Sequence, residues 1–256
     1  MSDTTATTTI PAPRPATIVA AGTRRVGADW SSAELRRARA FTDWIDRRCS
    51  EDPGVRAALR RGVGKDLDSV PFMHRFVAHR LTDEQMADLD IQRAHYTVAS
   101  LIAAQRRDQY AAARTATNLD ETTAGPDESK PATPRSRSLG RSFADGVAKG
   151  GTEAGLRASS AETRLNLLTR QSLDGLHRHL PGAIRQLRGS DVDVDWAQLL
   201  VDLCRWRRHA GTVKRRWLQD YYRTRQADEE RRAQDADTAR AAAQPDAGTD
   251  NPPTAN

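Results

Sequence analysis

Residues 195–206 have the sequence DWAQLLVDLCRW, in which apolar side chains recur every three or four positions. This spacing places them on one side of an α-helix, whereas a half-buried strand would alternate apolar and polar residues. Asp195, with Gln198 three residues later, has the arrangement of an N-terminal helix cap. The stretch therefore predicts a helix whose buried face carries Trp196, Leu199, Leu200, Leu203 and Trp206.

The helical pattern continues on both sides of this stretch. Val213, Trp217 and Tyr221 follow at steps of four residues, so we predict that they pack in the core rather than stack on bases. Pro181 lies inside another helical pattern, and we expect a kink or break near Leu180. Capping signals predict further helix starts at Ser31-x-x-Glu34, Asp52-Pro53, Pro71, Thr82-x-x-Gln85, Ser159-x-x-Glu162 and Ser172. Strand-like alternation is nearly absent, which indicates an all-α protein.

The composition divides the chain into folded and unfolded parts. Residues 1–29 are rich in Thr, Ala and Pro and predict a disordered arm, and residues 114–138 predict a flexible linker. Residues 227–256 predict a charged extension of the last helix that frays into a disordered tail. Two small helical-bundle lobes remain, residues 30–113 and 139–226.

The charge of the chain is concentrated in its second half. The chain has 40 Lys and Arg residues against 34 Asp and Glu, and residues 139–225 alone have 16 basic and nine acidic residues. Such an excess favours a polyanionic partner. The two cysteines have no metal-site or disulfide spacing, and no apolar run is long enough for a membrane span or signal peptide. We therefore expect a cytoplasmic protein.

Basic residues fall on the faces opposite the apolar ones. Helix faces with mixed charges are usually only solvated, but these groups have few acidic neighbours in the sequence. We therefore predict that they bind phosphates without regard to base sequence and in a salt-sensitive way. The groups are Arg178, Arg185 and Arg188, then Arg205, Arg207 and Arg208 around Trp206, then Lys214, Arg215 and Arg216 before Trp217.

Signals for catalysis or a metal site are weak. Asp191, Asp193 and Asp195 resemble the start of a calcium loop, but Trp196 stands where such a loop needs glycine, so these aspartates predict a turn and a helix cap. His177 and His179 are two residues apart and would lie on different sides of a helix. No phosphate-binding loop, dinucleotide motif or nucleophile elbow is present. We therefore expect no catalytic residue, metal or cofactor.

Five segments of the chain stand out together by their sequence and order. They are ALRRG at 58–62, VPFMHR at 70–75, SLGRSFA at 138–144, DVDWAQLLVDLCRW at 193–206 and KRRWLQDYY at 214–222. In this order they resemble the CasB family, the small subunit of the type I-E CRISPR Cascade complex. The resemblance covers roughly residues 33–223 and leaves the tails and the central linker unmatched.

The resemblance implies a non-catalytic helical subunit that binds the crRNA–target heteroduplex and the displaced strand. It implies contacts with the spine subunits, the large subunit and a second copy of the chain, and it leaves cleavage to a recruited nuclease. Backbone contacts can stabilise an R-loop because the heteroduplex and the DNA duplex it replaces are nearly balanced in free energy. Two alternatives stay open: a free-standing DNA-binding regulator, which would need a recognition helix, and an enzyme with dispersed acidic residues.

The resemblance also implies which basic residues contact nucleic acid. Two of its assignments, Arg185 and the pair Arg207 and Arg208, coincide with the helix-face prediction above. Lys214 and Arg215 come from the helix faces alone, and Arg141 has a role in capping or packing as its alternative. The residues implied by the resemblance are Arg61, Arg141, Arg164, Arg170, Arg185, and Arg207 or Arg208.

Overall fold

The computed structural model describes residues 32–105, 136–151 and 155–243. These residues form helices and no strand, which confirms the all-α prediction. The predicted N-terminal arm, most of the predicted linker and the last 13 residues, 244–256, lie outside the described residues. The α-helices are α1 (Ser32–Glu51), α2 (Pro53–Arg60), α3 (Pro71–Val77), α4 (Asp83–Ala87), α5 (Leu89–Ala103), α6 (Leu139–Ala148), α7 (Ala158–Thr169), α8 (Leu173–Gly189) and α9 (Trp196–Ala243).

Most of the predicted helix starts are confirmed by their side-chain caps. Asp195 accepts a hydrogen bond from the Gln198 amide at 2.9 Å, and Thr82 forms a complete capping box with Gln85. The side chains of Asp52 and Ser172 also accept hydrogen bonds from backbone amides in the first turns of α2 and α8. The cap predicted at Ser159 is wrong, because α7 begins at Ala158 and Ser159 therefore lies within its first turn.

The helices differ from the prediction at two places, Pro181 and His209. α8 runs from Leu173 to Gly189 without interruption through Pro181. Leu180 and Ile184, on either side of the proline, are fully buried, so core packing holds this helix together. The break lies instead in α9 at His209, whose φ and ψ are −133° and 29°.

The hydrophobic core is one connected cluster that includes residues from both halves of the chain. α9 packs against α6 of the second half and against α1 and α5 of the first half. Trp206 and Trp217 are buried, with ring centroids 5.2 Å apart, which confirms that they are core residues. The division into two lobes stays a prediction, since α9 contributes to the packing of both halves.

A buried polar cluster connects the two parts of α9 across the break. Asp202 is fully buried and accepts hydrogen bonds from Trp217 Nε1 at 2.7 Å and Gln198 Nε2 at 2.8 Å, and it pairs with Arg216. Burial raises the pKa of Asp202, and the nearby Arg216 guanidinium opposes that shift. Because an unpaired buried charge is costly, these partners hold the two parts of the helix in one arrangement.

The predicted tail is helical as far as Ala243. Side chains four residues apart stabilise this extension, including the Arg225–Glu229 ion pair at 2.6 Å. Arg232 donates to the Ala148 carbonyl at 2.6 Å, so this part of α9 also contacts the end of α6. Within the described ranges, no helix is both long enough and apolar enough to cross a membrane.

Candidate nucleic-acid interface

The outer face of α8 carries two exposed arginines, Arg178 and Arg185, two helical turns apart. Between them, on the same face, lie Pro181 and Gly182. Neither arginine forms an ion pair or hydrogen bond with any residue in the described ranges. Both guanidinium groups are therefore available to a polyanion.

Neighbouring elements extend this basic face on both sides of α8. A Cβ on Gly64 would lie 3.9 Å from Pro181 Cγ, which places the turn after α2 against the middle of α8. Lys65 follows Gly64 and is exposed. Arg61, in the same turn, is exposed and has its guanidinium 5.2 Å from the Phe72 ring centroid.

Arg164 borders the face on the side of α7. Its Nη1 lies 3.9 Å from the position of a Cβ on Gly182, and its Nε donates to Gln186 Oε1 at 3.3 Å. These basic side chains lie on α8, on α7 beside it and in the turn after α2, and we call them the basic strip: Arg61, Lys65, Arg164, Arg178 and Arg185.

Four of the basic residues predicted on α9 have acidic partners within the described part of the chain, and two of them are Arg205, which pairs with Glu34, and Arg216, which pairs with Asp202. Of the other two, Arg207 pairs with Asp90 at 3.1 Å, and Arg208 lies 4.0 Å from Asp88. The Arg207 and Arg208 side chains remain 72% and 80% exposed. Their pairs connect α9 to the start of α5, so part of the positive charge predicted here is neutralised within the molecule.

A second basic group lies where α7 ends against α9. Lys214 donates from Nζ to the Gln171 carbonyl at 3.2 Å and lies 5.3 Å from the Trp206 ring centroid. A cation in this position stabilises the carbonyl end of α7. Arg170 and Arg215 are exposed nearby, and no described residue forms an ion pair with either.

Arg141 lies apart from both groups. It is exposed on α6 next to Gly140, whose backbone lies against the backbone of Trp217. No described contact connects the Arg141 side chain to the basic strip. Its predicted role in nucleic-acid binding stays a prediction.

The acidic stretch before α9 has the structural roles expected of it. Asp191 has a φ of 51° in the turn after α8, and Asp195 caps α9 and accepts a hydrogen bond from the Arg137 amide at 3.1 Å. Asp202 is enclosed by the partners described above. Among the described residues, no group of three potential metal-ligating side chains is found.

Lys65 is the member of the basic strip that sequence reasoning missed. It lies in a turn, so the helical repeat in the sequence does not assign it to the face of any helix. Only the approach of Gly64 to Pro181 brings it beside α8. A weak signal was present, since Arg60, Arg61 and Lys65 are three basic residues within six positions.

Comparison with protein families found a match to CRISPR-associated protein Cse2 over residues 55–222. The chain is also similar to a chain in a solved CRISPR RNA-guided surveillance complex. The two are 35% identical over 78% of this chain and 99% of the matched chain, with a TM-score of 0.60. A second such complex, described as pre-nicking, matches at 37% identity over 78% of this chain and 98% of the matched chain, with a TM-score of 0.61.

The crystal structure of M. ruber CasB has the same fold. It is 24% identical to this chain, with a TM-score of 0.55 over 76% of this chain and 97% of the matched one. A comparison with curated proteins found no match.

Proposed function

Because the chain belongs to the CRISPR-associated Cse2 family, we propose that it is a non-catalytic small subunit of a type I-E Cascade surveillance complex in the cytoplasm. Its basic strip binds nucleic-acid backbone and stabilises the R-loop. The observation that carries this proposal is the pair Arg178 and Arg185, exposed on one face of α8 and unpaired within the described residues.

The arrangement of the strip suits backbone binding. Its charges lie on a rigid, core-packed helix and on the turn beside it, so they need little reordering when a phosphate approaches. Guanidinium groups pair with phosphates through a planar fork of donors, and such contacts carry no base sequence information. The heteroduplex and the DNA duplex that it replaces are nearly equal in free energy, so a few such contacts can prolong the open state.

The partners of the subunit follow from membership in such a complex. The crRNA, the target DNA, the spine subunits, the large subunit and a second copy of the chain are its proposed neighbours. The second basic group, around Lys214, and the partly paired Arg207 and Arg208 are proposed as weaker contributors, because intramolecular partners already hold several of their charges.

The test is the lifetime of the R-loop in a reconstituted complex that contains Arg178→Ala/Arg185→Ala. We expect a shorter lifetime for every target sequence and a salt slope that falls by roughly one for each lost phosphate contact. Arg240→Ala is the matched control, since Arg240 is exposed on the distal part of α9 and pairs with Asp237.

An unchanged lifetime in the double variant would refute backbone binding by the outer face of α8. A lifetime that changed for some target sequences only would instead favour the alternative of a sequence-reading DNA-binding protein. Loss of the subunit from the complex would show that the strip is an assembly surface.

A further inference from the structure

A groove of about 500 Å³ opens between α7 and α8, beside the basic strip. Its lining is polar along one wall and includes no carboxylate among the described residues. The residues that line it are Ser159, Ser160, Thr163, Arg164, Leu167 and Gln186.

Arg164 supplies the positive charge of this groove, and its guanidinium has a fixed orientation. Arg164 is half-buried, and its Nε donates to Gln186 Oε1, which holds the plane of the guanidinium between the two helices. The two Nη atoms make no hydrogen bond to any residue in the described ranges. A guanidinium fixed at one edge in this way presents its remaining donors as a fork that matches two oxygens of a phosphate.

Three hydroxyl groups complete the polar wall. Ser159, Ser160 and Thr163 are exposed on the first turns of α7, and their hydroxyls make no hydrogen bond within the described part of the chain. Ser160, Thr163 and Arg164 lie three and four residues apart, so they share one side of the helix. A hydroxyl can donate to an anionic oxygen, and none of these hydroxyls is used as a helix cap.

We propose that this groove seats one phosphate group of the bound nucleic-acid backbone, with Arg164 and the hydroxyls of Ser160 and Thr163 as its ligands. The identity of the phosphate as a backbone phosphate rests on the proposed function. Arg185, next to Gln186 in sequence and exposed, would bind the adjacent backbone. The seat differs from the rest of the strip because Gln186 fixes the orientation of its guanidinium and hydroxyl groups add further hydrogen bonds.

The first test exploits the difference between Arg and Lys. Arg164→Lys keeps the charge and removes the fork, so we expect the R-loop of the reconstituted complex to dissociate about ten-fold faster with an unchanged salt slope. Arg240→Lys is the matched control, because Arg240 is exposed on the distal part of α9 and lies outside the basic strip, so lysine there should leave the lifetime unchanged.

The second test removes hydroxyls without touching any charge. Ser160→Ala/Thr163→Val should shorten the R-loop lifetime about five- to ten-fold, again with an unchanged salt slope. Ser50→Ala, an exposed serine on α1, is the control and should have no effect. Urea denaturation of each full-length variant checks that the fold is intact.

The outcomes separate this proposal from the proposed function. If Arg178→Ala/Arg185→Ala shortens the R-loop lifetime while the Arg164 and hydroxyl variants do not, the strip binds backbone and the phosphate seat is wrong. If only the groove variants act, the seat stands and the role of the outer face is wrong.

A further arm distinguishes a backbone phosphate from a free one. Thermal unfolding of the full chain is compared in sodium phosphate and in sodium chloride at matched ionic strength. Suppose that phosphate raises the melting temperature of the wild type but not of Arg164→Lys, and that Arg164→Lys leaves the R-loop lifetime unchanged. The groove then binds free phosphate, and the backbone assignment is overturned.

Discussion

Replacement of Gly140 by alanine is predicted to separate α6 from α9. A Cβ on Gly140 would lie 1.8 Å from the Trp217 carbonyl oxygen and 2.6 Å from its carbonyl carbon, whereas real Cβ contacts essentially never fall below 3.0 Å. The obstacle is helix backbone rather than the end of a flexible side chain. The helices must therefore move apart by more than about 1 Å, which loosens the packing of the fully buried Trp217 side chain.

The expected cost lies at the upper end of that for overpacked cores, about 3 kcal/mol. For a chain of this size, that corresponds to a fall in melting temperature of about 6–12 °C. Gly189→Ala is the matched control, because it also lies in a helix but a Cβ there would meet nothing within 4 Å. It should stabilise the protein slightly, by at most about 1 kcal/mol, since alanine loses less backbone entropy than glycine on folding.

Urea denaturation followed by far-ultraviolet circular dichroism measures both effects on full-length protein. The Gly140→Ala transition should have a clearly lower midpoint than the wild type, and the Gly189→Ala transition an equal or higher one. If the two variants had the same midpoint, the close approach of α6 to α9 would be refuted.

Three further predictions concern stability and charge. Trp206→Ala should cost about 3–5 kcal/mol of unfolding free energy in urea denaturation through a core cavity; a stable variant that lost only nucleic-acid binding would make Trp206 a stacking platform. Burial lowers the pKa of His177 to about 4, below its unfolded value of about 6.5. The free energy of unfolding should therefore be highest above about pH 6.5 and should fall by up to about 3 kcal/mol towards pH 4. His177→Gln should reduce this fall, and parallel pH curves for the variant and the wild type would contradict the prediction. Arg207→Ala should change the R-loop lifetime less than Arg185→Ala, because Asp90 already pairs with Arg207; equal effects would contradict it.

The helical fold could be predicted from sequence because the signals are local. The cap at Asp195 and the capping box at Thr82 depend only on residues within one turn, and both are confirmed. The cap at Ser159 failed, although its sequence signal is of the same kind. The N-cap of α7 is Arg157, two residues before Ser159, and the Arg157 side chain makes no cap hydrogen bond.

The break in the last helix could not be predicted from sequence. Pro181 carries the strongest local signal for a break, yet burial of its apolar neighbours keeps α8 continuous. His209 carries no such signal, and the interruption there is accompanied by pairing of Asp202 with residues 14 and 15 positions later. Long-range packing outweighed local propensity in both cases.

Local periodicity by itself determined that this chain forms amphipathic helices with leucine and tryptophan inside and arginine outside. A helix that buries one face needs an apolar residue every three or four positions, and each helix shows this repeat in its own sequence. It could not distinguish Arg185 from Arg207, since both follow an apolar stripe. Only the tertiary structure decided that Arg207 meets Asp90 while Arg185 meets no described carboxylate. The electrostatic availability of a side chain depends on partners distant in sequence, and folding alone brings those partners together.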